Sequence, residues 1–167
     1  VVSHRWPGLT RTFVDLGASP IANDFLTEDA LALEEVHYPL KVFVCEECLL
    51  VQLEAYVSPD EIFSEYAYFS SYSDTWVEHA RTYADMMIER FGLTAESFVA
   101  EIASNDGYLL RHFAARGIPV LGVEPARNVA EAASRLGIDT LVAYFGRNTA
   151  GELVRAGRSA DLIAANN

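Results

Sequence analysis

The chain is poor in positive charge, in cysteine and in long apolar runs. Among its 167 residues, 12 Lys and Arg stand against 24 Asp and Glu, a formal net charge of −12. A surface of that sign repels phosphate backbones and argues against general nucleic-acid binding. The only two cysteines lie in one Cys45-Glu-Glu-Cys48 stretch, so a secreted disulfide framework is not indicated. No apolar run approaches the roughly 18 residues needed to cross a membrane. The N-terminus lacks the charged, apolar and small-residue order of a signal peptide. The expectation is a cytoplasmic protein that acts on a small molecule, with neither nucleic acid nor membrane as a partner.

Apolar material is not short. Hydrophobic residues make up 51% of the chain and aromatics 11%, enough for a packed core. The chain begins with Val1 rather than Met. It stops at Asp161-Leu-Ile-Ala-Ala-Asn-Asn167, which reads as the end of a buried strand left as an unpaired edge. The chain therefore reads as a fragment.

The pattern is organised around Ser97–Gly107 (SFVAEIASNDG). A strand-like run ends in a small-polar turn closed by Gly107, and an apolar run with helical spacing follows. Strand, tight turn and helix together aim backbone N–H groups at a ligand. From here the β-α alternation repeats, with strands expected at 97–102, 120–123, 140–143 and 161–165. Helices are expected at about 108–116, 128–136 and 149–156. Gly117, Gly137 and Gly157 fall just past the three helix ends, as left-handed caps should. The fold class expected is α/β, a Rossmann-like parallel sheet of four strands, preceded by a small zinc-ribbon-like β module. The domain limits expected are 1–58 for that module, 59–96 for an aromatic segment and linking helix, and 97–167 for the partial Rossmann-like domain.

In the front module a strand is expected at Thr10–Leu16, ending at Gly17. Tyr38–Val44 and Leu49–Leu53 flank Cys45 and Cys48, and strand, C-x-x-C, strand is the shape of a zinc knuckle that aims two thiolates at one point. His4 and His37 are the only further soft ligands there. The cluster Tyr66, Tyr68, Phe69 and Tyr72 reads as core on density alone. Asp74 is expected to cap a helix whose apolar stripe runs Trp76, Ala80, Tyr83, Met87 and Phe91, closed by Gly92.

The turn Glu101–Gly107 has one glycine, where a dinucleotide site wants three for close approach to the pyrophosphate. Its acids would also repel phosphate. They suit a ligand with an ammonium group and hydroxyls, and S-adenosylmethionine is such a ligand. Glu124, seventeen residues past Gly107 and followed by Pro125, is placed to accept hydrogen bonds from two ribose hydroxyls. Asn166 and Asn167 end the last strand, either on the same ligand-facing rim or in a plain strand-end turn.

Six stretches resemble the S-adenosylmethionine-dependent sugar C-methyltransferases, which act on nucleotide-linked 4-keto-deoxyhexoses. They are DLGASPIANDFL (15–26), YPLKVFVCEECLLVQL (38–53), YAYFSSYSDTWVEHA (66–80), EIASNDGYLL (101–110), GVEPARNVAEAA (122–133) and DLIAANN (161–167). The resemblance implies that Glu101, Ala103, Ser104, Asn105 and Gly107 hold the methionine part of the donor. It gives the ribose to Glu124; Pro125 beside it and Asn166 at the strand end are expected to belong to the same cofactor-binding set. Tyr68 matches a tyrosine that faces the active site in the family, and Cys45 and Cys48 match the second of two zinc pairs. The first pair is missing, with Ser3 and Trp6 in its places. The family's general base lies in a Tyr-x-x-His stretch that this chain lacks. The implied function is C-methyl transfer to a nucleotide-linked 4-keto-deoxysugar, with the fragment inactive alone. The alternatives are an NAD-dependent sugar-nucleotide epimerase or dehydrogenase, and a non-catalytic zinc-ribbon interaction module.

Overall fold

A computed structural model describes residues 11–166. The chain divides into two compact units, the first up to Ile62 and the second from Phe63.

The first unit is a three-stranded antiparallel sheet in the order β1-β2-β3, formed by Arg11–Ser19, Tyr38–Val44 and Val51–Leu53. β1 does not end at Gly17 as expected. The strand runs on to Ser19 through a register shift between Asp15 and Ala18. Gly17 takes φ +82° there, and its N–H donates to Asp15 Oδ1 at 3.0 Å. A glycine with positive φ inside a bulge bends a strand without stopping it. Lys41 pairs with Asp15 across the strands at 3.5 Å. Cys45 is the one buried apolar side chain among the described residues of this unit, while Phe13, Phe25, Leu31 and Leu33 are exposed. A short helix, α1 (Pro59–Phe63), follows this sheet in the chain.

In the second unit the long helix α2 (Asp74–Phe91) is capped by Ser73, not by the expected Asp74: the Ser73 Oγ accepts from the Trp76 N–H. Asp74 instead lies in the first turn, where its charge favours the positive end of the helix dipole. Gly92 closes the helix in the left-handed conformation. The buried face is Ala80, Ala84 and Met87, with Tyr83 and Ile88 packed beside it. The expected stripe is thus rotated, since Trp76 and Phe91 at its ends are exposed.

The sheet follows, all parallel, in the order β6-β5-β4-β7. Its strands are β4 (Val99–Ile102), β5 (Val120–Val123), β6 (Thr140–Leu141) and β7 (Leu162–Ala165). The crossovers are α3 (Leu110–Ala114), α4 (Arg127–Arg135) and α5 (Arg147–Arg155). Gly117, Gly137 and Gly157 have φ of +73°, +79° and +73°. Past each one the next N–H reaches back to a helix carbonyl, as Ile118 does to Phe113 at 3.2 Å, so each helix is closed by a Schellman cap. The chain steps outward from β4 to β6 and returns to place β7 on the other side of β4, so β4 borders the switch point. Such sheets bind ligands at the carboxyl ends of strands beside that point. The core is built on fully buried Leu109, Leu110 and Phe113 against Val99 and Ala84, each large side chain contributing roughly 1.5–3 kcal/mol. Among the described residues, no helix is long and apolar enough to cross a membrane.

Candidate functional site

β4 delivers its last residues, Glu101 and Ile102, straight into a turn that no regular strand could make. Ala103 and Asn105 take φ of +55° and +49°, and Gly107 takes +78°. The left-handed region is costly for residues with a Cβ, and asparagine tolerates it better than most. The turn is anchored to β5, because the Ala103 N–H donates to the Val123 carbonyl at 2.8 Å. Ser104 packs onto the flat face of Gly122.

Four polar side chains of this turn are buried: Glu101, Ser104, Asn105 and Asp106. Glu124, at the end of β5, is buried beside them. Its Oε2 accepts the Asn105 N–H and its Oε1 the Ala126 N–H, both at 2.9 Å. Glu124 therefore ties the first β-α turn to the second, and each oxygen keeps one lone pair for a further donor.

Glu101 is different. Neither of its carboxylate oxygens makes a hydrogen bond of good geometry, although the side chain is fully buried and the Tyr108 hydroxyl lies close by. Burial pushes its carboxyl well above the ordinary range, and the charges of Asp106 and Glu124 push the same way, against a lowering influence of the Tyr108 hydroxyl nearby. Ser104 Oγ and Asp106 Oδ1 are also buried and unpartnered. Unsatisfied buried acceptors next to one another cost free energy unless something supplies donors and positive charge. The arrangement suits a cationic ligand bearing N–H groups and opposes a phosphate.

Tyr108, the first residue after the turn, is pushed up to about 12, by burial first and then by the charge of Glu101. Its hydroxyl accepts from Asn166 Nδ2 at 3.3 Å, which brings the end of β7 to the same rim. Ala103 is exposed and Pro125 half-buried. Tyr68 is half exposed, and its carbonyl accepts from Asn105 Nδ2 at 3.0 Å. Glu101, Ser104, Asn105, Glu124, Asn166 and the Tyr68 backbone are thus linked to one turn by hydrogen bonds, shared burial or charge. Three participants carry no local signal in the sequence. Ser71 donates both N–H and Oγ–H to Asp106 Oδ2, Asn128 pairs with Tyr66, and Gly122 leaves room for Ser104.

Cys45 and Cys48 lie in the first unit. The Leu49 N–H donates to the Cys45 carbonyl and the Cys45 N–H to the Leu50 carbonyl, both at 2.9 Å, closing a tight knuckle. Backbone N–H groups of Cys48 and then Glu47, aimed at the sulfur, hold the Cys45 thiol below its ordinary value against the opposing effect of burial. That is how a thiolate ligand is prepared. A tetrahedral zinc needs four ligands, and among the described residues no group of three or more His, Cys, Asp or Glu could hold a metal. The described donors therefore do not complete a site. Ser3, His4 and Trp6 lie outside the described residues, as does Asn167.

Residues 8–63 match the family described as "Putative zinc binding domain" (Methyltransf_13). Over 132 residues the chain is 38% identical to the C-methyltransferase NovU of Streptomyces niveus; the match takes in 79% of this chain and 31% of that protein. The chain thus spans about a third of the length of that curated relative. Partial likenesses extend to a "putative s-adenosyl-l-methionine-dependent methyltransferase" of Methanococcus maripaludis, 18% identical over 53% of this chain and 33% of that one, TM-score 0.31. An RNA methyltransferase of Salinibacter ruber in complex with S-adenosyl-L-homocysteine is 22% identical over 52% of this chain and 46% of that one, TM-score 0.28. These two overlaps are too slight to bear on function. The chain is thus similar to a C-methyltransferase over the 132 residues matched, and its residues 8–63 match the zinc-binding family.

Proposed function

We propose that this chain carries the methyl-donor site of an S-adenosylmethionine-dependent C-methyltransferase whose acceptor is a nucleotide-linked 4-keto-deoxysugar. The observation that carries the donor assignment is the buried Glu101 carboxylate with no hydrogen bond of good geometry on either oxygen, beside the orphaned Asp106 Oδ1 and Ser104 Oγ. A ligand that brings an ammonium group satisfies these acceptors and offsets their mutual repulsion. NAD would bring a pyrophosphate to the same acids. The donor, when bound, supplies an electrophilic methyl on a sulfonium. Glu101, Ser104 and Asn105 bind its amino-acid end, Ala103 and Gly107 shape the turn, and Glu124 with Pro125 receives the ribose. Asn166 borders the site through Tyr108, and Tyr68 faces the acceptor.

The sugar acceptor rests on the resemblance of the sequence motifs and on the relation to NovU, and the chain holds no Tyr-x-x-His stretch to supply the base. Cys45 and Cys48 are proposed as half of a structural metal knuckle with no part in the chemistry. A small-molecule acceptor and a cytoplasmic setting belong to the same proposal.

The deciding experiment is calorimetric titration with S-adenosylhomocysteine, with NAD as comparison. Binding of the first alone, abolished in Glu124→Ala, is the expected result. Tighter binding of NAD would overturn the proposal.

A further inference from the structure

The segment from Ser64 to Ser71 has no regular structure apart from a single 3-10 turn at Ser70–Tyr72. Groups from the first β-α turn and from the start of α4 nevertheless grip it at Ser64, Tyr66, Tyr68, Ser70 and Ser71. The Arg127 N–H donates to the Ser64 carbonyl at 3.2 Å. Asn128 grips Tyr66 with both ends of its amide: Oδ1 accepts the Tyr66 N–H at 3.0 Å, and Nδ2 donates to the Tyr66 carbonyl at 2.7 Å. Asn105 repeats the device two residues on, donating from Nδ2 to the Tyr68 carbonyl and accepting the Ser70 N–H on Oδ1 at 2.9 Å. Asp106 Oδ2 then takes the Ser71 N–H at 3.1 Å and the Ser71 hydroxyl at 2.5 Å.

We infer that Asn128 is a positioning residue that, with Asn105 and Asp106, couples occupation of the donor turn to the setting of the Ser64–Ser71 strap and of Tyr68 upon it. The inference rests on the donor reading of that turn. Its physical basis is that two residues face both ways. Asn105 gives its backbone N–H to Glu124 and its side chain to the strap. Asp106 commits Oδ2 to Ser71 while Oδ1 is buried without a partner. A ligand that donates to Oδ1, or that fixes the turn, fixes the same carboxylate that holds Ser71. Such coupling is reciprocal: a donor that orders the strap binds less well when the strap is loosened. Asn128 lies on α4, outside the donor turn, and acts only through the backbone of Tyr66.

The test uses the chain as it stands, with S-adenosylhomocysteine as probe. Calorimetry measures its affinity, and amide hydrogen exchange is followed with and without it. In the wild-type chain, saturating ligand is expected to slow exchange of the Ser70 and Ser71 amides by about tenfold, the protection that a coupling of ordinary size confers. Asn128→Ala is expected to weaken S-adenosylhomocysteine by about fivefold, with exchange in the middle of α2 unchanged as proof of folding. Ser71→Ala, which deletes only the hydroxyl bond, should shift affinity the same way by less. Binding with no change at Ser70 and Ser71, or an Asn128→Ala variant that folds and binds like wild type, would overturn the coupling and leave the donor reading intact. No heat from a folded wild-type chain would overturn both.

Discussion

A Cβ added to Gly122 would lie 2.3 Å from the Oγ of Ser104 and 3.0 Å from its Cβ. The middle of one strand and the turn beyond its neighbour are therefore shaped against each other. Gly122→Ala must displace Ser104, and through it the backbone between Ala103 and Asn105. The expected cost is about 1–3 kcal/mol in denaturant unfolding, the range for overpacking a tight site, with loss of S-adenosylhomocysteine binding. Ser104→Gly in the Gly122→Ala background removes the clashing atoms and should return much of the stability. Failure to do so would place the strain elsewhere.

Ser104→Ala alone should behave differently. The hydroxyl has no partner in the ligand-free chain, so its removal leaves no broken hydrogen bond and should be neutral or mildly stabilising. Donor affinity should nevertheless fall. Thermal melting and calorimetry on one preparation separate the two effects, and a variant that binds as tightly as wild type removes Ser104 from the donor contacts.

Much of this arrangement can be read from the sequence, because its signals are local. Gly117, Gly137 and Gly157 mark helix ends by a backbone requirement that glycine alone meets cheaply. Gly107 and Glu124 stand at the ends of recognisable apolar runs. The departures from the sequence pattern are also local in kind: Gly17 sits in a bulge rather than at a strand end, and Ser73 caps α2 in place of its neighbour. Other features have no local signature. Asn128 finds Tyr66 across 62 positions, and Ser71 finds Asp106 across 35. Nothing in a run of neighbours encodes those pairings. Nor does sequence spacing reveal that both oxygens of Glu124 already hold backbone N–H groups.

Glu101 should make the stability of the chain depend on pH. Its folded-state value is raised, by burial first and by neighbouring acids second, so the folded state holds the proton more tightly than the unfolded chain. Stability is then highest at acid pH and falls as pH rises from the ordinary carboxylate range through the raised value. Glu101→Gln should flatten that slope and raise the melting temperature at neutral pH and above, while weakening S-adenosylhomocysteine. Melting curves recorded from about pH 4 to about pH 9 test it: parallel slopes for the two proteins would mean that Glu101 is not the group responsible.

Ser73→Ala is the control for effects that act through folding alone. Its Oγ accepts the Trp76 N–H at 3.3 Å at the start of α2, outside the Glu101–Gly107 turn. Loss of such a cap costs about 1 kcal/mol. Below its own melting transition, this variant should bind S-adenosylhomocysteine with wild-type affinity. A parallel loss of affinity would show that donor binding follows global stability, and the site variants would need reinterpretation.

Glu124 offers the sharpest separation between bracing and binding. Truncation to Ala releases the buried N–H groups of Asn105 and Ala126 together, and each lost charged acceptor costs on the order of 1–3 kcal/mol. Glu124→Gln keeps one carbonyl oxygen but replaces the other with an amide that meets a backbone N–H donor to donor. If Glu124 only braces the two turns, both variants lose donor affinity in proportion to lost stability. If it also receives ribose hydroxyls, affinity falls further than stability does. A ligand series exposes the difference: methionine, which lacks the ribose, should lose little beyond the bracing effect, whereas S-adenosylhomocysteine should lose more. Equal losses for the two ligands would confine Glu124 to holding Asn105 and Ala126 in place.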